Sequence, residues 1–319
     1  MDEVLERTRE LGIVPVVRLD RVEDALPLGR ALIAGDLPVA EITFRTDAAE
    51  AAIRRLTSEL PELFVGAGTV LTTEQAERAL AAGAKFIVSP GFNSRIVEFC
   101  TQRGATVIPG INSPTQIEMA LEHGLSVLKF FPAEASGGIE MVKSLAAPFG
   151  SVRYIPTGGV NEKNLAAYLA IPQVLACGGS WMVKPELLKT GKFDEVTRLS
   201  RQAVLTMLGF EFAHLGINES SPANAERSAK LFESLFSFSI RETPGSYFSE
   251  NSVEILKEKV RGTHGHIAIR TNSVPRAVAY LKRHGFGTIA GTERIAGGEL
   301  EFVYLEQEVS GFAVHLIKR

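Results

Sequence analysis

The sequence predicts an α/β protein: a (β/α)8 TIM barrel followed by a smaller α+β domain of paired βαβββ modules. Two observations predict this organisation. Through about residue 208, short β-branched runs alternate with amphipathic helical stretches, and successive runs start roughly 20–26 residues apart, which suits compact βα units. Beyond Leu208 the pattern changes to a weak internal repeat of a strand, a helix and further strands. A length of 319 residues accommodates both parts.

The first part contains eight strand-like runs in series, which is typical of a closed parallel barrel. A doubly wound open sheet is the alternative that this pattern leaves. Amphipathic helices separate the runs, for example the one that begins at Thr73 and ends near Gly83. The runs are Ile13–Val17, Val39–Phe44, Phe64–Thr69, Phe86–Ser89, Thr106–Pro109, Val127–Phe131, Arg153–Pro156 and Gln173–Ala176.

The second part holds five of the six histidines of the chain. Its junction with the first part, Thr206–Gly209, has no Pro/Ser-rich tract, so we expect two packed domains, 1–208 and 209–319. The predicted strands and helices are Glu211–Ile217, Ala223–Phe236, Val253–Leu256, Gly265–Arg270, Val274–His284 and Phe312–Ile317.

Composition excludes several classes of protein. The net charge is −3, whereas a dedicated nucleic-acid-binding protein carries an excess of basic residues. No apolar run approaches the roughly 18–20 residues of a membrane span, and the charged start does not resemble a signal peptide. Cys100 and Cys177 lie far apart in apolar surroundings, which indicates no disulfide framework. We therefore expect a cytoplasmic protein without nucleic-acid or membrane partners.

Lys129 lies mid-strand among apolar residues. Period-two alternation places it on one face with Val127 and Phe131. Inside a barrel, desolvation favours the neutral amine, which is the form that attacks a ketone to give a Schiff base. The alternative is a strand-end lysine that reaches solvent or pairs with a carboxylate.

Glu41, Thr43 and Arg45 share one face of the second run. Burying such charges is costly unless a substrate or partner compensates them. Glu41 is therefore a candidate general acid/base, and Arg45 is a candidate ligand for a substrate carboxylate. An internal Glu41–Arg45 salt bridge is the structural alternative.

Glycine pairs follow the seventh and eighth runs, in Pro156–Gly159 and Cys177–Ser180. Barrel enzymes often bind phosphate in the loops after these two strands through backbone N–H groups. The two pairs together predict a phosphate site.

Six blocks in this order resemble the 2-keto-3-deoxy-6-phosphogluconate (KDPG) and 4-hydroxy-2-oxoglutarate (KHG) aldolases over about residues 5–208. They are Glu41–Arg45, Gly66–Val70, Ser89–Gly91, Lys129–Glu134, Pro156–Gly159 and Gly178–Trp181. The resemblance implies a trimeric barrel and class I cleavage of a small, phosphorylated 2-keto acid without a cofactor.

The resemblance also implies residue roles. Lys129 would form the Schiff base and Glu41 would shuttle protons. The pyruvate half of the substrate would contact Arg45, Thr69, Pro90 and Phe131. The far end, including the phosphate, would contact Thr157, Gly158, Gly159, Gly179 and Ser180.

The second part resembles a glyoxalase/vicinal-oxygen-chelate domain, whose paired modules hold a divalent metal. The implied ligands are His214, Glu254, His266 and His315, the last at a position where that family usually has a glutamate. Three functions remain open: an aldolase with an accessory domain, a bifunctional enzyme with a second metal-dependent activity, and a sensor whose barrel has lost catalysis. The intact charges at Lys129, Glu41 and Arg45 argue against the sensor. Substrate preference, for KDPG or mainly for KHG with pyruvate and glyoxylate as products, stays open.

Overall fold

A computed structural model describes residues 2–319 and divides the chain into two compact units, one ending at Met207 and the other spanning Leu208–Arg319. Among the described residues, no helix combines the length and the apolar character that crossing a bilayer requires.

The described part of the N-terminal unit contains nine strands and ten helices, which alternate except that β6 directly follows β5 and α10 directly follows α9. Short 3-10 turns occur at Val22–Asp24 and Glu134–Ser136. The strands are β1 (Ile13–Val17), β2 (Val39–Thr43), β3 (Phe64–Gly68), β4 (Phe86–Val88), β5 (Thr106–Ile108), β6 (Gly110–Ile111), β7 (Val127–Phe130), β8 (Arg153–Pro156) and β9 (Cys177–Gly179). The helices are α1 (Glu3–Leu11), α2 (Ala25–Ala34), α3 (Ala49–Glu59), α4 (Thr73–Ala81), α5 (Ser94–Gln102), α6 (Pro114–Glu122), α7 (Gly138–Ala146), α8 (Leu165–Leu169), α9 (Pro185–Lys189) and α10 (Phe193–Leu208).

The strands form a closed parallel barrel, which confirms the predicted fold class and excludes the open sheet. One ladder runs β5-β4-β3-β2-β1-β9 and a second runs β6-β7-β8. Pro109 is the one residue between β5 and β6. Because proline has no N–H to donate to the ladder, it interrupts what is otherwise a single barrel strand. Parallel bridges from Tyr154 to Val174 and from Thr157 to Gly178 close the barrel between β8 and β9.

The prediction of the eighth strand at Gln173–Ala176 is wrong. The last barrel strand is β9, in which Cys177 pairs with Ile13 of β1. The preceding segment, residues 173–176, is not a strand of the sheet. It makes an isolated bridge to β8, in which the backbone N–H of Tyr154 donates to the carbonyl of Gln173. The glycine pair of residues 178–179 therefore lies inside a strand and not in the loop after it.

The C-terminal unit contains two βαβββ modules, as the sequence predicts. The first comprises β10 (Glu211–Asn218), α11 (Pro222–Phe236), β11 (Ile240–Glu242), β12 (Ser246–Ser249) and β13 (Val253–Leu256). The second comprises β14 (Gly265–Thr271), α12 (Val274–Arg283), β15 (Arg294–Ala296), β16 (Glu299–Val309) and β17 (Phe312–Lys318).

The two modules share one eight-stranded sheet in the order β11-β12-β13-β10-β14-β17-β16-β15. The first strand of each module meets the other at the centre, where β10 and β14 pair antiparallel. Helix α11 packs against one face of this sheet, where its Ala225 and Ala229 form a buried cluster with Ile255 of β13. Helix α12 contacts β16 and β17.

Candidate functional site

The interior of the barrel holds a buried ion pair. Nζ of Lys129 on β7 lies 3.2 Å from Oε1 of Glu41 on β2, and the two residues are only 5% and 3% exposed. Two buried charges are tolerated because each is the other's counterion. Lys129 is therefore not exposed to solvent, and it pairs with a carboxylate, which is one of the alternatives that the sequence left open. The alternative salt bridge between Glu41 and Arg45 is not formed, because Glu41 pairs with Lys129 and Arg45 donates to Thr69.

Gly68 on the neighbouring strand β3 makes room for the Glu41 carboxyl group. A Cβ atom at position 68 would lie 2.0 Å from Oε1 of Glu41. Thr157 and this pair also border an internal cavity of about 10 Å³, roughly the room that one water molecule needs. The amine, the carboxylate and a water-sized space thus meet at one place in the barrel.

Arg45 and Thr69 lie just beyond the C-terminal ends of β2 and β3, and Nε of Arg45 donates to Oγ1 of Thr69 at 3.2 Å. Thr69 has a φ of +54°, a left-handed conformation that is strained for a β-branched residue. Such strain persists where function or packing demands it. Here it turns the Thr69 hydroxyl toward the guanidinium.

Phe131 and Pro90 also follow the ends of strands, β7 and β4. The Phe131 ring centroid lies 5.3 Å from Nζ of Lys129, within range of a cation–π contact. The loop that carries Pro90 runs close to β6, since a Cβ on Gly110 would lie 2.2 Å from the carbonyl oxygen of Pro90. Both residues therefore lie at the barrel end where Arg45 and Thr69 lie.

Of the residues proposed for the far end of the substrate, Thr157, Gly158 and Gly159 follow β8, Gly179 is the last residue of β9, and Ser180 follows β9. Gly158 and Gly159 have φ values of +97° and +89°, which glycine adopts without strain. A Cβ on Gly159 would lie 2.4 Å from Cγ of Glu134, and one on Gly179 would lie 1.8 Å from the Trp181 ring. Gly159 thus combines close packing with an exposed backbone, whereas Gly179 is buried and is needed for packing.

Thr157 and Ser180 flank the same loops. Thr157 is buried and its N–H donates to the carbonyl of Phe130 at 2.9 Å. Ser180 directly follows β9 and is exposed. Both lie at the C-terminal end of the barrel, where parallel strands place their following loops.

Arg18 is a residue at this end of the barrel that the sequence prediction omitted. It directly follows β1, whose Pro15 pairs with Gly179, so Arg18 lies beside the loop that begins at Ser180. It is exposed, and its Nε donates to Asp20 at 3.1 Å. The position of Arg18 in the sequence could have predicted this location, because the residue after a barrel strand lies at the C-terminal end of the barrel.

The C-terminal unit brings together all four of its predicted metal ligands. The Nε2 atoms of His214 and His266 lie 3.0 Å apart, and Oε2 of Glu254 lies 3.3 Å and 3.1 Å from them. His315 completes a group of three histidines whose ligand atoms all lie within 4.8 Å of one another. A Cβ on Gly216 would lie 2.2 Å from the His266 ring, so this glycine leaves the ring its space.

The protonation states of Glu254 and His315 suit metal ligation. Burial raises the pKa of Glu254, but hydrogen bonds from His214, His266 and Ser246 outweigh burial and hold this pKa well below its usual range. Burial, aided by the neighbouring His266 and His214, lowers the pKa of His315 to about 3. A carboxylate and a neutral imidazole are the forms that bind metals.

Known proteins match the N-terminal unit. The family model described as "KDPG and KHG aldolase" matches residues 4–199. The 2-dehydro-3-deoxy-phosphogluconate aldolase of Treponema pallidum is 55% identical over 202 residues, which cover 63% of this chain and 95% of the relative. The KHG/KDPG aldolase of Escherichia coli is 42% identical over 192 residues, which cover 60% of this chain and 90% of that relative.

Solved structures agree with these matches. The KDPG aldolase of Legionella pneumophila, with pyruvate captured as a covalent carbinolamine, is 37% identical with a TM-score of 0.61, covering 63% of this chain and 98% of that one. The Zymomonas mobilis enzyme with 3-phosphoglycerate is 37% identical with a TM-score of 0.59, covering 62% of this chain and 94% of that one. The chain therefore belongs to the KDPG and KHG aldolase family of class I aldolases.

Proposed function

We propose that this protein cleaves 2-keto-3-deoxy-6-phosphogluconate to pyruvate and glyceraldehyde 3-phosphate, with Lys129 as the Schiff-base residue and Glu41 as the general acid/base. The observation that carries this proposal is the buried contact of 3.2 Å between Lys129 Nζ and Glu41 Oε1. It supports proton transfer within the pair, which leaves a neutral amine to attack the substrate.

The reaction follows from this pair. The Lys129 amine adds to the C2 ketone, and loss of water gives a protonated imine that accepts electrons. Glu41 removes the proton of the C4 hydroxyl, directly or through a water molecule, and the C3–C4 bond breaks to release the aldehyde. The electron pair of that bond forms an enamine, which Glu41 reprotonates at C3. Hydrolysis of the imine then releases pyruvate and restores Lys129.

The pyruvate half of the substrate lies among Arg45, Thr69, Pro90 and Phe131. Arg45 binds the C1 carboxylate, since a guanidinium fork matches its two oxygens. The hydrogen bond from Arg45 to Thr69 supports this role, because it fixes the guanidinium before substrate arrives. Phe131 packs beside the reacting amine and excludes water there.

The phosphate binds the backbone around Gly158, Gly159, Gly179 and Ser180, with Thr157 at its base and Arg18 as a nearby cation. Loops after the last two barrel strands commonly bind phosphate, and an exposed arginine beside them adds charge complementarity. The alternative substrate, 4-hydroxy-2-oxoglutarate, shares the pyruvate half and carries a carboxylate at the far end. The cationic Arg18 serves either anion, whereas the glycine pair Gly158–Gly159 in the loop after β8 favours phosphate.

Steady-state cleavage of both substrates by the intact chain tests this proposal. We expect a higher kcat/KM for the phosphorylated substrate, and no cleavage of either one by Lys129→Arg, which keeps the positive charge but cannot form the imine. Lys143→Arg is the matched control, because Lys143 is exposed and pairs with Glu140. Cleavage by Lys129→Arg at the rate of the control contradicts the proposal.

We also propose that residues 1–208 act as the aldolase domain of a cytoplasmic homotrimer, by resemblance to the family. Cys100 and Cys177 are buried and form no disulfide within residues 2–319, which supports a reducing compartment. Residues 209–319 form a glyoxalase/vicinal-oxygen-chelate-like domain in this proposal. Its two βαβββ modules support that assignment.

A second candidate function is a metal-dependent activity of this C-terminal domain, with His214, Glu254, His266 and His315 as ligands of a divalent metal. Three imidazoles and one carboxylate suit zinc, iron, nickel or manganese. Neighbouring ligand atoms that would bind one metal through bonds of about 2.1 Å would lie roughly 3.0–3.4 Å apart. The observed separations of 3.0–3.3 Å among His214, His266 and Glu254 fit that spacing.

The metal proposal is tested by elemental analysis of the purified full-length protein. We expect about one metal per chain, and loss of the metal in His214→Ala. His284→Ala is the matched control, since His284 ends α12 outside the cluster. Substoichiometric metal in all three proteins contradicts the metal site and leaves the aldolase proposal intact.

A further inference from the structure

The loop after β8 contains two consecutive glycines, which have no side chains of their own to orient their peptide groups. Gly158 and Gly159 have φ values of +97° and +89°. Without a Cβ atom, glycine takes up many backbone conformations at little energetic cost. The conformation of this loop therefore depends on hydrogen bonds that other residues make to its peptide groups.

The carbonyl groups of both glycines accept hydrogen bonds. The carbonyl of Gly158 accepts from the backbone N–H of Glu134 at 3.0 Å. The carbonyl of Gly159 accepts from two side-chain amides, Nδ2 of Asn161 at 2.9 Å and Nδ2 of Asn164 at 3.2 Å. Gly158 is thus held by the backbone, and Gly159 is held by the two asparagines.

The amide groups of the two asparagines are themselves oriented. Oδ1 of Asn164 accepts from the backbone N–H of Asn161 at 2.8 Å, and Oδ1 of Asn161 accepts from the backbone N–H of Lys163 at 2.9 Å. An amide whose oxygen accepts from the backbone presents its NH2 group on its other side. Both NH2 groups are therefore directed to the Gly159 carbonyl.

A hydrogen bond to a carbonyl group also fixes the N–H of the following residue, because the two groups lie in one planar trans peptide and point in opposite directions. The Gly158 carbonyl in this way sets the N–H of Gly159, and the Gly159 carbonyl sets the N–H of Val160. Across the described residues 2–319, these two N–H groups have no hydrogen-bond partner. Successive unpaired N–H groups in a glycine loop are suited to bind an anion.

We propose that Asn161 and Asn164 are positioning residues that orient this loop for the substrate phosphate and thereby favour phosphorylated over unphosphorylated 2-keto acids. By binding the Gly159 carbonyl, they direct the Val160 N–H to the phosphate. This inference rests on the proposed phosphate site. It adds two side chains that act on the phosphate only through the backbone of the loop.

Steady-state cleavage of KDPG and KHG by Asn161→Leu and Asn164→Leu tests this proposal, because leucine is similar in size to asparagine but has no amide. In each variant we expect the KM for KDPG to rise about tenfold, which corresponds to losing one hydrogen bond to a charged group. The kcat for KDPG and the kcat/KM for KHG should not change, since KHG has no phosphate. Asn224→Leu is the matched control, because Asn224 lies in the first turn of α11, where its Nδ2 donates to Ser220.

A second measurement separates positioning from damage to the barrel. Pyruvate has no phosphate, so both variants should form the borohydride-reduced adduct with pyruvate as fully as Asn224→Leu does. Loss of this adduct, or an equal loss of activity on KDPG and KHG, overturns the positioning role.

The remaining outcomes separate this inference from the proposed function. An unchanged KM for KDPG in both variants overturns the inference and leaves the proposed function standing. A wild-type chain that cleaves KHG but not KDPG overturns the phosphate site and this inference together, and leaves the Schiff-base chemistry standing.

Discussion

Gly68→Ala is a test of how the barrel positions Glu41. Gly68 faces the Glu41 side chain from the neighbouring strand, and an added Cβ would lie 2.0 Å from Oε1 and 2.6 Å from Cδ. An ordinary contact is at least 3.4 Å. The carboxyl group must therefore move by about 1.4 Å, away from its position 3.2 Å from Lys129 Nζ.

The size of the effect follows from this displacement. A catalytic group misplaced by about 1 Å costs on the order of 10²-fold in rate, or about 2.7 kcal/mol in activation free energy. Forcing one methyl group into a packed interior costs about 1–3 kcal/mol of folding free energy. We therefore expect kcat to fall about 100-fold in a protein that still folds.

The assay couples pyruvate release to lactate dehydrogenase and records Tm for each variant. Gly150→Ala is the matched control, because a Cβ at position 150 meets nothing within 4 Å. The variant should still form the imine with pyruvate, since Lys129 is unchanged. A Gly68→Ala protein with the kcat of the control refutes the role given to the Glu41 position.

Three further predictions concern other parts of the chain. Arg45→Gln should raise the KM for the 2-keto acid about 10- to 100-fold through loss of charge-assisted hydrogen bonds. The control Arg54→Gln, at an exposed position of α3, should leave the KM unchanged. Equal KM values for the two variants contradict the role of Arg45 in binding the carboxylate. Gly216→Ala should lower the metal content of the protein, because the added Cβ would lie 2.2 Å from the His266 ring. An unchanged metal content in elemental analysis contradicts this prediction. Burial raises the pKa of the Cys100 thiol to about 11, so this thiol is protonated at pH 8. It should therefore react with a thiol reagent only after denaturation. Rapid labelling of Cys100 in the native protein contradicts this prediction.

Seven of the barrel strands were predictable from sequence because their β-branched runs are buried on both faces. The eighth was misplaced by four residues, since Gln173–Ala176 has the composition of a buried strand while β9 is Cys177–Gly179. Glycine is a poor strand former by propensity. Here it is required because a Cβ on Gly178 would lie 2.3 Å from Oγ1 of Thr157, and only the folded barrel reveals that approach.

The candidate site was predictable where a residue type conflicts with its surroundings. Lys129 and Glu41 are charges in apolar strands, so the sequence pattern alone marks them. Their contact could not be predicted from spacing, because it joins β2 to β7 across the barrel. The left-handed backbone of Thr69 depends on the closed barrel and has no signal in local sequence, whereas the position of Arg18 directly after the first run was a signal that the prediction did not use.

The most direct test of the central claim is mass spectrometry of the intact chain after treatment with pyruvate and borohydride. Reduction of the imine converts the bound pyruvate into a stable carboxyethyl group on the lysine nitrogen. We expect this modification on the peptide that contains Lys129 and on no other, and we expect its loss in Lys129→Arg. An active enzyme that carries no modification at Lys129, or carries it on another lysine, contradicts the account.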